Sequence, residues 1–364
     1  MNITENQILQ ALSTVEDPDL KKDLVTLGMI TNIIINDNNV SFTVVLTTPA
    51  CPLKELIKQN CISAIHEHIS SDIEVTVNLT ATVTSGRNGS PILPHVKNII
   101  AVASGKGGVG KSTVTTHLAI ALAQAGSKVG LIDADIYGPS IPVMFGIEHE
   151  KPLMQTIDGK DYIVPIQKFG VKLMSIGLLV SPQNAVVWRG PMASSALRQF
   201  ITDVLWNELD YLFIDLPPGT GDIHLTLVQT VPVTGAVIVT TPQKVSVADA
   251  QKGLSMFTQP QINVPVLGVV ENMSYFIPEE LPDNKYYIFG KDGGKKLASD
   301  NNVPFLGQIP LVQSIRQAAD EGHQLINQND KIFIEFNILA QEVARQVALR
   351  NATIEKTNKV EIKV

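Results

Sequence analysis

One stretch of this chain, Ala103-Ser-Gly-Lys-Gly-Gly-Val-Gly-Lys-Ser-Thr113, carries a recognisable chemistry in its residue types and spacing. From Gly105 to Ser112 it fits the phosphate-loop pattern G-x-x-x-x-G-K-[ST]. Glycines let successive backbone N–H groups turn towards one anion, and the start of a helix adds partial positive charge. Lys111 is placed to meet the β- and γ-phosphates, and the Ser112 hydroxyl to ligate Mg²⁺. The expected nucleotide contacts are Gly105, Lys106, Gly107, Gly108, Val109, Gly110, Lys111, Ser112 and Thr113. Lys106 is a second cation in a loop that needs one. It is either a solvated lysine or a residue that reaches across a dimer interface to the partner's phosphates, as an arginine finger does in trans.

The loop needs a strand before it and a helix after it, and both are legible. Ile99-Ile-Ala-Val102 is a buried apolar run, and Val114–Ala125 has helical composition. Further apolar runs read as parallel strands, whose carboxyl ends are where ligands sit in such folds. Ser127-Lys-Val-Gly-Leu-Ile-Asp-Ala-Asp135 ends in two carboxylates that are not both expected to face the core. Asp135 is either a solvated strand-end residue or the group that orients the attacking water. Leu209–Asp215 ends in an acid suited to hold Mg²⁺ directly or through water. Pro217, Pro218, Gly219 and Gly221 then form a turn-rich loop able to sense the γ-phosphate. Gly235–Gln243 and Val266–Ser274 read as two more strands with a helix near Ser246–Thr258 between them, and Val303–Pro310 as a short last one. Asn272, at a strand end, either pairs with an adenine edge or serves ordinary turn chemistry.

The first 85 residues read separately. Glu5–Leu12 is helical, Asp17-Pro-Asp19 turn-like, and Met29–Asn36 and Val40–Thr47 are strands joined at Asp37-Asn-Asn39. Pro52–Ile69 is a helix and Ile73–Leu79 a further strand. Cys51 sits just before that helix, where the dipole would favour a reactive thiolate; the alternative is a half-buried, inert cysteine. If the helix is continuous, Cys51 and Cys61 stand ~15 Å apart along its axis, too far to share one metal. Ser85-Gly-Arg-Asn-Gly-Ser-Pro91 has the composition of a linker.

Over residues 98–350 these segments resemble the Mrp/ApbC family of P-loop ATPases, regarded as iron–sulfur cluster carriers. The resemblance rests on the Lys106-containing loop, Asp133-Ala-Asp-Ile-Tyr-Gly-Pro-Ser140, Trp188-Arg-Gly-Pro-Met192, Asp215-Leu-Pro-Pro-Gly-Thr-Gly-Asp222, Glu271-Asn-Met-Ser274 and Ile288-Phe-Gly-Lys-Asp-Gly-Gly294. It implies an α/β fold of the MinD-like type, with a mostly parallel sheet flanked by helices. It also implies an ATP- and Mg²⁺-dependent homodimer that passes a cluster between scaffold proteins and apoproteins. Residues 1–85 resemble the small α+β cluster-assembly module often fused before such ATPases, through Leu46-Thr-Thr-Pro-Ala-Cys-Pro52. Lys106, Lys111 and Asp135 are the catalytic candidates, Ser112 and Asp215 the magnesium ligands, and Trp188–Met192 a candidate partner contact. One departure concerns the cargo: the family's usual Cys-x-x-Cys after Glu-Asn-Met-Ser is replaced here by Tyr275–Tyr287, which contains no cysteine. A four-thiolate cluster shared across a dimer therefore cannot form there, and Cys51 is the remaining candidate thiol.

Composition sets limits. The 364 residues, 44% of them hydrophobic, allow two domains with real cores. The expected division is 1–85, a linker at 86–97, the ATPase domain at 98–350 and a charged tail at 351–364. A net charge of −7 without a basic run argues against non-specific DNA binding. No apolar run approaches the ~18 residues of a membrane span, and the start lacks a signal-peptide pattern. Two cysteines suit a reducing cytoplasm. A positioning ATPase of the MinD or ParA type is the alternative function, and a P-loop kinase a weaker one. The mixed-sign residues after Ala348 lack the basic amphipathic helix that membrane positioning would use.

Overall fold

The computed structural model describes residues 3–180, 189–278, 280–281, 283–323 and 331–361. The chain divides into two units: the described residues up to Thr84 together with Ala348–Ile354, and Ser85–Val347 together with the described residues from Glu355.

In the smaller unit, Thr4 starts α1 (Glu5–Leu12) with a capping box, its hydroxyl accepting from Gln7 N while Gln7 Oε1 accepts from Thr4 N. A short antiparallel pair, β1 (Glu16–Asp17) and β2 (Lys22–Asp23), follows where the sequence shows only a turn. Asp17 Oδ1 organises it by accepting from the backbone of Asp19 and Leu20 at 2.9 and 2.8 Å. β3 (Ile30–Asn36) and β4 (Asn39–Leu46) form an antiparallel hairpin, α2 (Lys54–His68) crosses over, and β5 (Glu74–Ala81) returns parallel to β4. Period-2 alternation puts Val40, Phe42, Val44 and Leu46 on one face of β4. That face packs with Ile8, Leu12, Ile57, Cys61 and Ile65 from the two helices.

The larger unit is built on β6 (Val96–Ala103), α3 (Lys111–Gln124), β7 (Val129–Asp133), α4 (Ile141–Met144), the hairpin β8 (Leu153–Ile157) and β9 (Lys160–Val164), β10 (Ile166–Lys168) and β11 (Val171–Ser175). Next come α5 (Gly190–Thr202), β12 (Leu209–Asp215), α6 (Asp222–Thr230), β13 (Gly235–Thr240), α7 (Lys244–Thr258), β14 (Val266–Glu271), α8 (Gly293–Asp300), β15 (Phe305–Gln308), α9 (Gln313–Asp320) and α10 (Lys331–Thr353), the last of which belongs to this unit up to Val347. One eight-stranded sheet runs β10-β11-β7-β12-β6-β13-β14-β15, parallel except for the β10–β11 edge. The chain leaves β6 towards β7 on one side and later crosses to β13 on the other. The carboxyl end of β6 is therefore a topological switch point, the place where open α/β sheets bind ligands. α3 is buried nearly all round, with Thr115, Thr116 and His117 covered as well as Val114, Leu118, Ile120 and Leu122.

The stretch with linker composition is ordered within this unit. Arg87 is buried and donates to the carbonyls of Ile92 and Leu93 at 2.9 and 2.8 Å. Burial lowers its guanidinium pKa to about 10. The segment expected as a free tail pairs with it: Asn88 N donates to Thr357 O and Thr357 N to Gly86 O, both at 3.0 Å. Composition alone missed this because main-chain pairing needs no side-chain signature.

Gly130 is one of several close fits in the sheet. A Cβ there would stand 2.7 Å from Leu209, 2.9 Å from Leu212 and 3.0 Å from Trp206. We expect Gly130→Val to destabilise the protein by about 1–3 kcal/mol through overpacking, lowering the thermal midpoint of the larger unit by several degrees. An unchanged melt would show that the three neighbours move freely.

Candidate nucleotide site

The phosphate loop leaves β6 at Ala103 and enters α3 at Lys111. Its glycines have separate physical reasons. Gly108 and Gly110 adopt φ of +80° and +77°, conformations an L side chain rarely takes. At Gly105 a Cβ would collide with the backbone of Asp249 on α7, 2.0 Å away. Ser104 Oγ donates to Lys106 O at 3.1 Å and Gly219 N to Ser104 O at 2.9 Å, joining this loop to the one after β12. The loop borders a cavity of about 770 Å³, lined also by Thr113, Asp135, Ser140, Met144, Asn272, Pro310, Ile315 and Arg316.

Parallel register sets the acids at the floor of the site. Asp215 at the end of β12 pairs with Asp133 on β7 and with Val102 on β6, and Ser175 on β11 pairs with Asp133. Asp215 is completely buried, and its Oδ2 accepts from Lys111 Nζ at 2.7 Å and from Ser112 Oγ at 2.6 Å. Its Oδ1 accepts from Thr115 Oγ1 at 2.6 Å. Thr115 escaped the sequence reading, although its place one helical turn after Lys111 puts both on the same face of α3. Hard oxygen donors at Ser112 and Asp215 suit Mg²⁺.

Asp133 and Asp135 divide as anticipated, because β7 ends at Asp133 and the chain turns away. Asp133 is buried, and its Oδ2 accepts from Ser175 Oγ at 2.9 Å. Burial first, and the neighbouring Asp215 charge second, push its pKa up to about 7, against the pull of Lys111 and Ser175. Asp135 stays partly exposed on the cavity wall, its pKa raised by burial and Asp215 and lowered by Lys111. Lys106 is exposed, with no side-chain partner among the described residues. Asn272, read from sequence as facing either an adenine edge or a turn, is buried with its Nδ2 donating to Val109 O at 2.8 Å. Trp188 lies outside the described residues; Arg189 precedes α5, and Met192 in its first turn is exposed.

Two histidines absent from the motif reading are buried in the larger unit. His117 on α3 is stacked on Phe336 with ring centroids 4.1 Å apart, and its Nδ1 lies 2.8 Å from Thr113 O. His224 on α6 is buried, with neither ring nitrogen in a full hydrogen bond. Burial lowers both to about 4, so both are neutral near pH 7. The local motif carries no signal for either, since both are defined by helix packing.

Of the two readings for Cys51, the half-buried one is what the structure has. α2 begins only at Lys54, after Leu53, so Cys51 stands outside the helix. It packs half-buried on the small core, and burial together with Asp17 and Asp19 raises its pKa, outweighing the Leu53 backbone N–H that lowers it. Cys61 is fully buried and burial pushes it up to about 12. Among the described residues no group of three or more His, Cys, Asp or Glu side chains could hold a metal ion. Nor is any described helix long and apolar enough to cross a membrane.

Asp133 makes the site pH-sensitive. The unfolded carboxyl titrates near 3.8 and the folded one near 7. Between these values the folded state holds the extra proton, so this group lowers stability as pH rises and costs most above pH 7. In urea melts at pH 4.5, 6 and 7.5, Asp133→Asn should therefore gain on wild type steadily up to pH 7, by a total on the order of 2–4 kcal/mol. A pH-independent difference would contradict the raised pKa.

Comparison with known proteins agrees with this geometry. Residues 95–348 match the family model of the NUBPL iron-transfer P-loop NTPases, and residues 5–78 that of the iron-sulfur cluster assembly proteins. The chain is 48% identical to an iron-sulfur cluster carrier protein of Synechocystis, over 89% of this chain and 92% of that protein. It is 43% identical to the protein of that name in Escherichia coli K12, covering 93% and 89%. Among solved structures, a nucleotide-binding protein from Archaeoglobus fulgidus in complex with ADP superposes with a TM-score of 0.55 at 39% identity, covering 67% of this chain and 93% of that one. With its phosphate loop at the switch point of a parallel sheet and matches of this extent, the chain belongs to the NUBPL iron-transfer P-loop NTPase family.

Proposed function

We propose that this protein is an ATP-hydrolysing carrier that acts as a homodimer and delivers iron–sulfur clusters to apoproteins. The observation that carries the catalytic half is the convergence of Lys111, Ser112 and Thr115 on the buried Asp215 beneath the phosphate loop. Before nucleotide arrives, the ammonium and carboxylate neutralise each other, which makes a buried charge tolerable. Triphosphate binding recruits Lys111 towards the β- and γ-phosphates and leaves the carboxylate free for a cation. Ser112 and Asp215 would then hold Mg²⁺, which supplies charge neutralisation on the phosphates. Asp135, partly exposed beside the loop, orients the attacking water, and the amide and carbonyl of Asn272 add a polar wall. A second cavity of about 600 Å³ adjoins Asp135, walled by Tyr137, Pro217, Pro218 and Asp222. It leaves room for Lys106 of a second copy, and dependence on that residue in trans makes hydrolysis slow in the isolated chain.

The cargo is iron–sulfur cluster by the names of the relatives. This chain's own thiols limit how it is held, because Cys61 is fully buried. Cys51 is the accessible one, so the cluster is bridged between copies or completed by a partner or small thiol. Both cysteines are free thiols, consistent with work in a reducing cytoplasm.

Lys111→Ala should abolish ATP binding in calorimetry, whereas Lys106→Ala should bind ATP within about twofold of wild type and lose at least tenfold in turnover, the scale of a trans cation. Mixing a Lys106→Ala chain with one defective at Lys111 tests the trans role. Wild-type turnover by Lys106→Ala alone would exclude it.

For the cargo, anaerobic reconstitution should give labile, sub-stoichiometric cluster that is lost in Cys51→Ser and retained in Cys61→Ser. Cys51 should also alkylate faster than Cys61, through exposure rather than through a lowered pKa. Stable loading of iron and sulfide in the double cysteine variant would refute cluster ligation by these thiols.

A further inference from the structure

The turn at the end of β14 is clamped on both sides. Glu271 is fully buried; its Oε2 accepts from Gly294 N at 2.6 Å, and its Oε1 accepts from Gln308 Nε2 at 2.9 Å and from Ser274 Oγ. Asn272 N donates to Thr240 O at 2.8 Å, and Ser274 N to Ile309 O at 3.0 Å. Between them Met273 is held at φ +52°, a left-handed conformation costly for a long side chain. Such strain persists only where the surroundings over-determine it. What the clamp immobilises is the side chain of Asn272.

That side chain reaches across 163 residues of sequence to the phosphate loop, where Nδ2 donates to Val109 O at 2.8 Å. It also fills the space beside Gly110, where a Cβ would stand 2.2 Å from Nδ2. A trans peptide points its C=O and N–H in opposite directions. A free Val109 carbonyl could rotate into the cavity, where its partial negative charge repels phosphate. Anchored on Asn272 it cannot, and the Gly110 N–H is presented on the opposite side of the same peptide.

We propose that Asn272 is a positioning residue for the phosphate loop, holding the Val109–Gly110 peptide in the orientation that accepts an anion. Its service is to the phosphates, whatever base they carry. This rests on the nucleotide reading above and assigns the residue a task that base recognition does not require. Losing the bond frees the Val109 carbonyl to turn into the cavity, and one hydrogen bond of this kind corresponds to about tenfold in affinity.

The test uses the full chain with Mg²⁺ and three probes: ATP, inosine triphosphate and inorganic tripolyphosphate. Calorimetry on Asn272→Ala should show all three weakened by a similar factor of about ten, with the thermal melt of the nucleotide-free protein little changed. Asn272→Asp keeps the shape but has no donor and adds a charge, so it should weaken all three further. It also carries the test if Asn272→Ala fails to fold. Loss confined to ATP would overturn the proposal in favour of adenine recognition, and wild-type affinities in both variants would show the bond to be idle. A wild-type protein that binds none of the probes would overturn the nucleotide reading and this inference together.

Discussion

The buried pair between Lys111 and Asp215 is the constraint on which the site depends. A carboxylate with no solvent exposure and an ammonium almost as buried lie 2.7 Å apart. Each alone would carry a desolvation penalty of several kcal/mol. Together, with the Ser112 and Thr115 hydroxyls on the remaining lone pairs, they form a satisfied network at the base of α3. The arrangement requires β12 to lie directly beside β6, so that the end of one strand faces the helix that follows the other. It also requires Asp133 to lie beside Asp215 in register, where burial first and the Asp215 charge second raise the second carboxyl's pKa. One charge is thus stabilised and its neighbour suppressed by the same piece of sheet geometry.

Close approaches of backbone hold the rest of the nucleotide site against this floor. Gly105 touches the backbone of α7, and a Cβ at Gly293, at the start of α8, would meet Pro242 O at 2.4 Å. Gly219 N donates to Ser104 O, which ties the loop after β12 to the phosphate loop. The turn after β14 adds the only side chain among the described residues that donates to a Val109 carbonyl. Two strand ends are thus hydrogen-bonded to one loop, through Gly219 and Asn272, and α7 packs against it at Gly105.

The small unit obeys a different logic. Its thiol environment is governed by burial and by two aspartates, both of which favour the protonated form of Cys51. A thiol of this kind is a poor permanent ligand and a reasonable transient one, because a metal must displace its proton on binding. In the larger unit Tyr275 and Tyr287 pack edge to face with centroids 6.4 Å apart, and Lys285 Nζ sits 4.1 Å over the Tyr275 ring.

Much of this protein was legible in the order of its residues. The glycine spacing, Lys111 and Ser112, the acids at the ends of apolar runs and the α-β-β-α-β order of the first unit are local patterns, because helix capping, strand alternation and loop conformation are set by neighbours in sequence. The hairpin at Leu153–Val164 and the helices α6, α8 and α9, of eight or nine residues each, were not legible. Partnerships at a distance belonged to the tertiary structure alone. Strand order brought Asp133 and Asp215 side by side, helix packing neutralised His117 and His224, and the clamp at Glu271 turned Asn272 onto Val109. Burial likewise decided that Cys51 is raised rather than lowered, since it outweighs the Leu53 N–H at the start of α2, which begins at Lys54 and not at Pro52. The physical reason is common to all of these. The energy of a charge, a proton or a hydrogen bond depends on what surrounds it in space, and in this sheet spatial neighbours are dozens to hundreds of residues apart along the chain.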